Sequence, residues 1–128
     1  MIVEQPRTTM WPFSRKGAGS AAGPASVPTI DVKEAFTRSK RGAKLIDVRS
    51  AREYAHSEHP KGARSVPPDL IKKDQIGLGR GDEILVICLS GHRSPRQAKR
   101  LAGMGFTKVT NVHGGLMAWR KAGLPVKK

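Results

Sequence analysis

The chain has 128 residues of which 38% are apolar, enough to build one domain around a single core. Its 24 lysines and arginines face only 10 acidic residues, and the resulting charge of +14 draws anionic ligands or partners without naming them. A single cysteine excludes an intrachain disulfide and any zinc site built on paired cysteines, and a free thiol suits a reducing compartment, so a cytoplasmic location is expected.

Residues 1–26 carry Pro, Gly, Ser and Ala with no apolar period, and they read as a flexible basic arm. Met10, Trp11 and Phe13 could anchor that arm to a partner or a membrane surface, although an undocked terminus is the simpler reading. Residues 17–30 lack the Leu-rich centre of a secretion signal. Nowhere does the chain approach the roughly 20 apolar residues of a membrane-spanning helix. Only three basic residues and one acidic residue fall in the arm, so most of the charge belongs to residues 27–128.

From Val27 onward, short apolar runs alternate with amphipathic segments, the pattern of a sheet covered by helices on both faces. Asp31 reads as a helix N-cap, with Glu34 three residues on and Val32, Ala35 and Phe36 sharing one face. "KLIDV" reads as a strand. Ser50 and Glu53 form a capping box for the next helix, which makes Glu53 a structural residue. "ARSVP" is a short strand, "PPDLIKKDQIG" a short helix and "LGRGD" a turn. "EILVI" has the unbroken apolar run of a parallel strand buried on both faces. Cys88 follows it. Ser94 is expected to cap the next helix with Pro95 in its first position, Ala98, Leu101 and Ala102 face inward, and Gly103 or Gly105 ends it. "KVTNV" is another strand, and a last helix starts after Gly114 and Gly115, buries Leu116 and Trp119, and stops at Gly123 and Pro125.

In an open parallel sheet, ligands bind beyond the carboxyl ends of the strands, and a loop leading from such an end into a helix presents unpaired amides. Cys88 sits at that mouth. Gly91 permits a backbone conformation closed to other residues, so the amides of residues 89–94 can curl into an anion-binding nest. Those amides, the helix amino end, Arg93 and His92 all favour a thiolate, which makes Cys88 a nucleophile rather than a small buried hydrophobe.

The run Cys88-Leu89-Ser90-Gly91-His92-Arg93-Ser94 resembles the active-site loop of the rhodanese, or thiosulfate sulfurtransferase, family, which commonly shows Cys-x-x-Gly-x-Arg-Ser. "LIDVRSAREY", "HPKGARSVP" and "NVHGGLMAWRKAGLPV" resemble three further signatures of that family in the same order, the second with a lysine where proline or alanine is more usual. Together they cover residues 27–126. The resemblance implies an α/β three-layer domain, with a central five-stranded parallel sheet flanked by helices on both faces. It also implies a double-displacement reaction through a persulfide on Cys88, with a small anionic sulfur donor and an external thiol, cyanide or protein sulfur acceptor as partners. In that reading Leu89, Ser90, Gly91, His92, Arg93 and Ser94 form the substrate-binding loop. Arg93 orders the loop and helps hold the anion, while Ser90 and His92 line its rim. Asp47 and Arg49 reach the same mouth from a neighbouring strand, either as an ion pair bracing the loop or in support of catalysis. Six residues from Cys88 to Arg93 match the loop length that the family associates with sulfur transfer, whereas its phosphatase and arsenate-reducing relatives use seven.

No cofactor or metal is expected, because His56 and His59 alone have a ligand-like spacing and nothing completes a site around them. "GLGRGDE" precedes a strand instead of following one, so it is a turn and not a nucleotide loop. The basic runs "TRSKRGAK" and "SPRQAKR" are solvated faces that can also steer anionic donors. Nucleic acid is the weaker partner, since no aromatic platform accompanies the charge. Two alternatives stay open: a non-catalytic binding module on the same fold, and a sulfur carrier serving a tRNA-modifying or other relay.

Overall fold

The strand read from "EILVI" lies at the centre of the sheet, and Ile84, Leu85, Val86 and Ile87 are each fully buried. The computed structural model describes residues 26–128; the expectations for the arm and for Met10, Trp11 and Phe13 fall outside them. In chain order the elements are β1 (Thr29–Ile30), α1 (Val32–Lys40), β2 (Lys44–Asp47), α2 (Ala51–His56), β3 (His59–Pro60) and β4 (Arg64–Ser65). They continue with α3 (Pro68–Lys72), β5 (Glu83–Ile87), α4 (Ser94–Gly103), β6 (Lys108–Val112), α5 (Gly115–Lys121) and β7 (Val126–Lys127). Five strands form one parallel sheet in the order β1-β6-β5-β2-β4. β3 and β7 make a separate antiparallel ribbon.

Strands buried on both faces need a layer of helices on each side. On one face, Ile46, Val48, Ile84 and Val86 pack with Ile71 of α3 and with Ala98 and Leu101 of α4. On the other, Leu45, Leu85, Ile87 and Val112 pack with Val32 and Ala35 of α1 and with Leu116 and Trp119 of α5. Phe36 meets the Trp119 ring edge-on at 5.8 Å, and the indole donates its N–H to the Pro125 carbonyl at 2.8 Å. Trp119 therefore buries its ring without an orphaned donor. This is the three-layer α/β arrangement expected from the sequence.

The helix starts follow their local chemistry. Asp31 accepts the Glu34 amide at 2.9 Å, and Ser50 and Glu53 exchange both bonds of a capping box. α4 ends at Gly103, as one of the two expected stops. Ala102 is half-buried instead of fully inward, whereas Gln97 joins Ala98 and Leu101 on the buried face. Among the described residues no helix is long and apolar enough to cross a membrane.

Candidate active site

Cys88 directly follows β5 and is 1% exposed, so its sulfur sits at the floor of the loop that joins β5 to α4. Two amides donate to that sulfur, Gly91 at 3.1 Å and Ser94 at 3.3 Å, and the Ser94 hydroxyl lies 3.5 Å away, accepting from the thiol and placed to donate once the sulfur is a thiolate. Gly91 holds φ at 93°, which turns its amide inward as the nest requires. Burial alone pushes the Cys88 thiol up. The Ser94 hydroxyl and the amides of Ser94, Arg93 and Gly91 outweigh it, and the thiol ends below its ordinary value.

Two expectations about the loop need correction. Ser94 does not cap α4: it is the helix's first residue, Pro95 is the second, and Arg93 occupies the cap position with no side-chain bond. The reason is competition for the serine, because both its amide and its hydroxyl point at Cys88. The sulfur itself takes the place of a capping oxygen at this helix start. The second correction concerns Glu53, whose capping role is present but incomplete as a description. Its carboxylate also grips the Arg93 guanidinium through two hydrogen bonds, of 2.7 and 3.0 Å, fastening α2 to the loop. The Arg93 bond is the largest influence on Glu53, whose carboxyl falls to about 2, and it raises Arg93 in turn. Arg93 thus favours the thiolate through its backbone amide while its side chain faces Glu53.

Underneath, α5 carries the loop. The Leu116 amide donates to the Cys88 carbonyl at 2.8 Å and the Met117 amide to the Leu89 carbonyl at 3.0 Å. This contact needs Gly115: a Cβ there would lie 2.5 Å from both carbonyl oxygens, and φ is 64°. Gly114 and Gly115 had been read only as a helix start. Their role in supporting the loop, like the Glu53 grip, depends on chain segments far apart in sequence, and no local signal carried it.

Asp47 and Arg49 are 1% and 2% exposed and face one another, with Arg49 Nη2 2.9 Å from the Asp47 carboxylate. Arg49 also donates to the Ser57 hydroxyl and the Glu58 carbonyl, both at 3.0 Å, so it ties β2 to the segment after α2. Ser90 and His92 lie exposed on the rim and share a hydrogen bond at 2.8 Å. Leu89 is half-buried beside them. The two histidines with ligand-like spacing are engaged differently: His56 is exposed at the end of α2, whereas His59 is buried with its ring stacked 4.0 Å from that of Tyr54.

A lone thiol held among amides at the carboxyl edge of a parallel α/β sheet is in a setting that favours a sulfur anion. The rhodanese-like domain family model matches residues 31–122, and the chain belongs to that family. It is 36% identical over 111 residues to thiosulfate sulfurtransferase 16, chloroplastic, of Arabidopsis thaliana, an alignment covering 77% of this chain and 92% of that one. It is equally 36% identical over 111 residues to YrkF of Bacillus subtilis, a protein named as a sulfur carrier. That alignment covers 84% of this chain and 59% of YrkF, so the chain spans little more than half of that relative. Among solved structures, the rhodanese-like domain of the Anabaena sp. Alr3790 protein is similar with a TM-score of 0.70 and 26% identity, covering 80% of each chain.

Proposed function

We propose that the protein is a sulfurtransferase that carries sulfane sulfur on Cys88, taking it from a small anionic donor such as thiosulfate and passing it to an external thiol or cyanide. In the first step the Cys88 thiolate attacks the outer sulfur of the donor. A new Sγ–S bond forms, the donor's S–S bond breaks, and sulfite leaves with the electron pair. In the second step the acceptor nucleophile attacks the outer sulfur and Cys88 departs as the thiolate. No electron acceptor is needed, and with one cysteine in the chain the persulfide must be discharged to another molecule.

The observation that carries this reading is the set of donors around Cys88 Sγ, which favours the attacking thiolate. Among the described residues the amides of Ser90 and His92 have no acceptor, so they are free to meet the charge of an outer sulfur. Two sulfur-handling relatives and the six-residue loop agree with it. Glu53 braces the loop through Arg93, Asp47 and Arg49 brace the neighbouring β2 against the segment after α2, and a reducing, cytoplasmic setting would keep the thiol free.

Intact-mass spectrometry before and after thiosulfate, with cyanide added last, tests the proposal. The expected result is a gain of one sulfur, about 32 Da, that cyanide removes and that Cys88→Ser never acquires. No gain with thiosulfate or any other sulfane donor would overturn the proposal and favour a binding module on the same fold.

A further inference from the structure

At the end of the sheet opposite Cys88, two cavities of about 290 Å³ and about 320 Å³ meet at Ser39 and Gly62. Together they make one groove between α1, the start of β2 and the turn before β4. Lys40 and Lys61 border one half and Lys44 and Arg64 the other, and all four are exposed. Phe36 and Pro125 supply apolar wall at one end.

None of these cations pairs with a carboxylate among the described residues. Among the described residues, Glu34 and Glu83 pair with Arg38, Asp47 with Arg49, Glu53 with Arg93, Glu58 with Arg120, Asp69 with Lys73 and Asp74 with Arg80. The remaining two carboxylates are also occupied, Asp31 as a helix cap and Asp82 on the Gly79 amide. The walls are rigid. Pro125 is held through its carbonyl by the Trp119 indole and the Lys61 amide, Ser39 donates to the Phe36 carbonyl at 2.8 Å, and Arg64 is held by the Ile76 carbonyl at 2.8 Å. A concave, preformed and unneutralised cationic groove lowers the ordering cost of an anionic partner.

The groove's chemistry selects among polyanions. The Phe36 ring lies under the Lys40 ammonium at 4.4 Å and against Trp119, and Tyr54 and Phe106 are covered by His59 and Arg80. Among the described residues the groove therefore offers bases a single ring that already carries an ammonium, not a row of aromatic faces to stack on. Carboxylates on a peptide, with apolar side chains between them, match cations interleaved with Phe36 and Pro125. We infer that this groove docks an acidic segment of a partner protein. Lys44 is level with Ile84, four residues before Cys88, so roughly 13 Å of strand separates the groove from the sulfur. A docked partner would leave the mouth open to donor and acceptor.

The test uses the full chain and a fluorescein-labelled peptide of alternating glutamate and leucine, read by fluorescence anisotropy at low salt. Lys40→Glu, Lys44→Glu, Lys61→Glu and Arg64→Glu combined should weaken binding by about tenfold or more. Equal charge reversal at Lys33, Lys72, Lys99 and Lys108, all exposed elsewhere, should change it by no more than about twofold. A second variant, Lys40→Gln, Lys44→Gln and Lys61→Gln, keeps the Arg64 bond to Ile76 and should also weaken binding, with an unchanged melting temperature showing that the fold is intact. No binding by the wild type, or equal losses in both reversal variants, would refute the groove. Tighter binding of an RNA duplex, lost in the groove variant, would refute the acidic-protein assignment. The extent of persulfide formation on Cys88 at saturating thiosulfate should be unaffected by the groove variants, so failure here and failure of the sulfurtransferase reading are separately visible.

Discussion

The support of the Cys88 loop by α5 predicts an unusually costly glycine substitution. Gly115→Ala would place a methyl 2.5 Å from the Cys88 and Leu89 carbonyl oxygens and 2.6 Å from the Leu89 carbonyl carbon. All three are backbone atoms, so no side chain can swing away. Holding φ at 64° with a Cβ costs about 1–2 kcal/mol by itself. Separating α5 from the loop also stretches the Leu116 and Met117 bonds to those carbonyls, each contributing about 0.5–1.5 kcal/mol. The expected loss is therefore about 3 kcal/mol, a fall in melting temperature of roughly 12 °C or more for a domain of this size. Urea and thermal unfolding followed by circular dichroism measure it. Gly103→Ala is the contrast, because Gly103 lies at the end of α4 with nothing within 4 Å of its would-be Cβ. That change should be neutral or stabilising by about 0.5 kcal/mol. A Gly115→Ala protein within about 1 kcal/mol of wild type would show that the loop and α5 are not rigidly joined, and the reasoning would fail.

Two further perturbations follow from the ion pairs. Glu53 is held at about 2 against an ordinary 4.5, so its pairing stabilises the fold fully above about pH 4.5 and is lost as pH falls through about 2. Glu53→Gln should flatten the acid limb of a stability-against-pH curve in that window while leaving the slope near neutrality unchanged; an unaltered acid limb would contradict the pairing. Asp47→Asn leaves the Arg49 charge buried without its carboxylate, and breaking a buried pair in this way costs about 3–5 kcal/mol. Chemical denaturation should show that loss, and a change below about 1 kcal/mol would mean that Ser57 and Glu58 suffice to hold Arg49.

What could be read from the sequence was whatever local chemistry decides. The apolar run at 84–87 announced a central strand because burial on both faces leaves no polar positions, and the Asp31 and Ser50 caps were visible because their partners lie three residues away. β1 was not singled out: two residues have no periodicity, and Thr29 and Ile30 become strand only by pairing with Asn111 and Val112. The β3–β7 ribbon was hidden for the same reason, with Pro60 arguing against a strand until Val126 pairs with it. In the loop, Cys88 and Gly91 stood out through their position after a buried strand. The misreading of Ser94 came from applying the capping rule to a helix whose cap acceptor is a sulfur six residues earlier. Glu53, Gly114 and Gly115 were assigned to their own helices because a sequence shows a helix start but not what packs against it.

The charge of the whole chain and the charge felt by Cys88 have different sources. Around the sulfur the groups in contact are dipoles, namely amides and a hydroxyl, whereas Arg93 is matched by Glu53 and Arg49 by Asp47. Dipoles fixed in contact with a buried atom are screened little by salt, while the diffuse field of unpaired surface lysines is screened within about 10 Å at 0.1 M. The rate of Cys88 alkylation by neutral iodoacetamide, followed against pH, should therefore give a midpoint below the ordinary thiol value of 9.0 that stays in place when salt is raised. Ser94→Ala should move that midpoint upward, because the hydroxyl is the strongest of the groups favouring the thiolate. Reaction with anionic thiosulfate should slow with the same salt, since its approach depends on the diffuse field. A midpoint that salt shifts as far as Ser94→Ala does would assign the thiolate to the net charge and not to the loop.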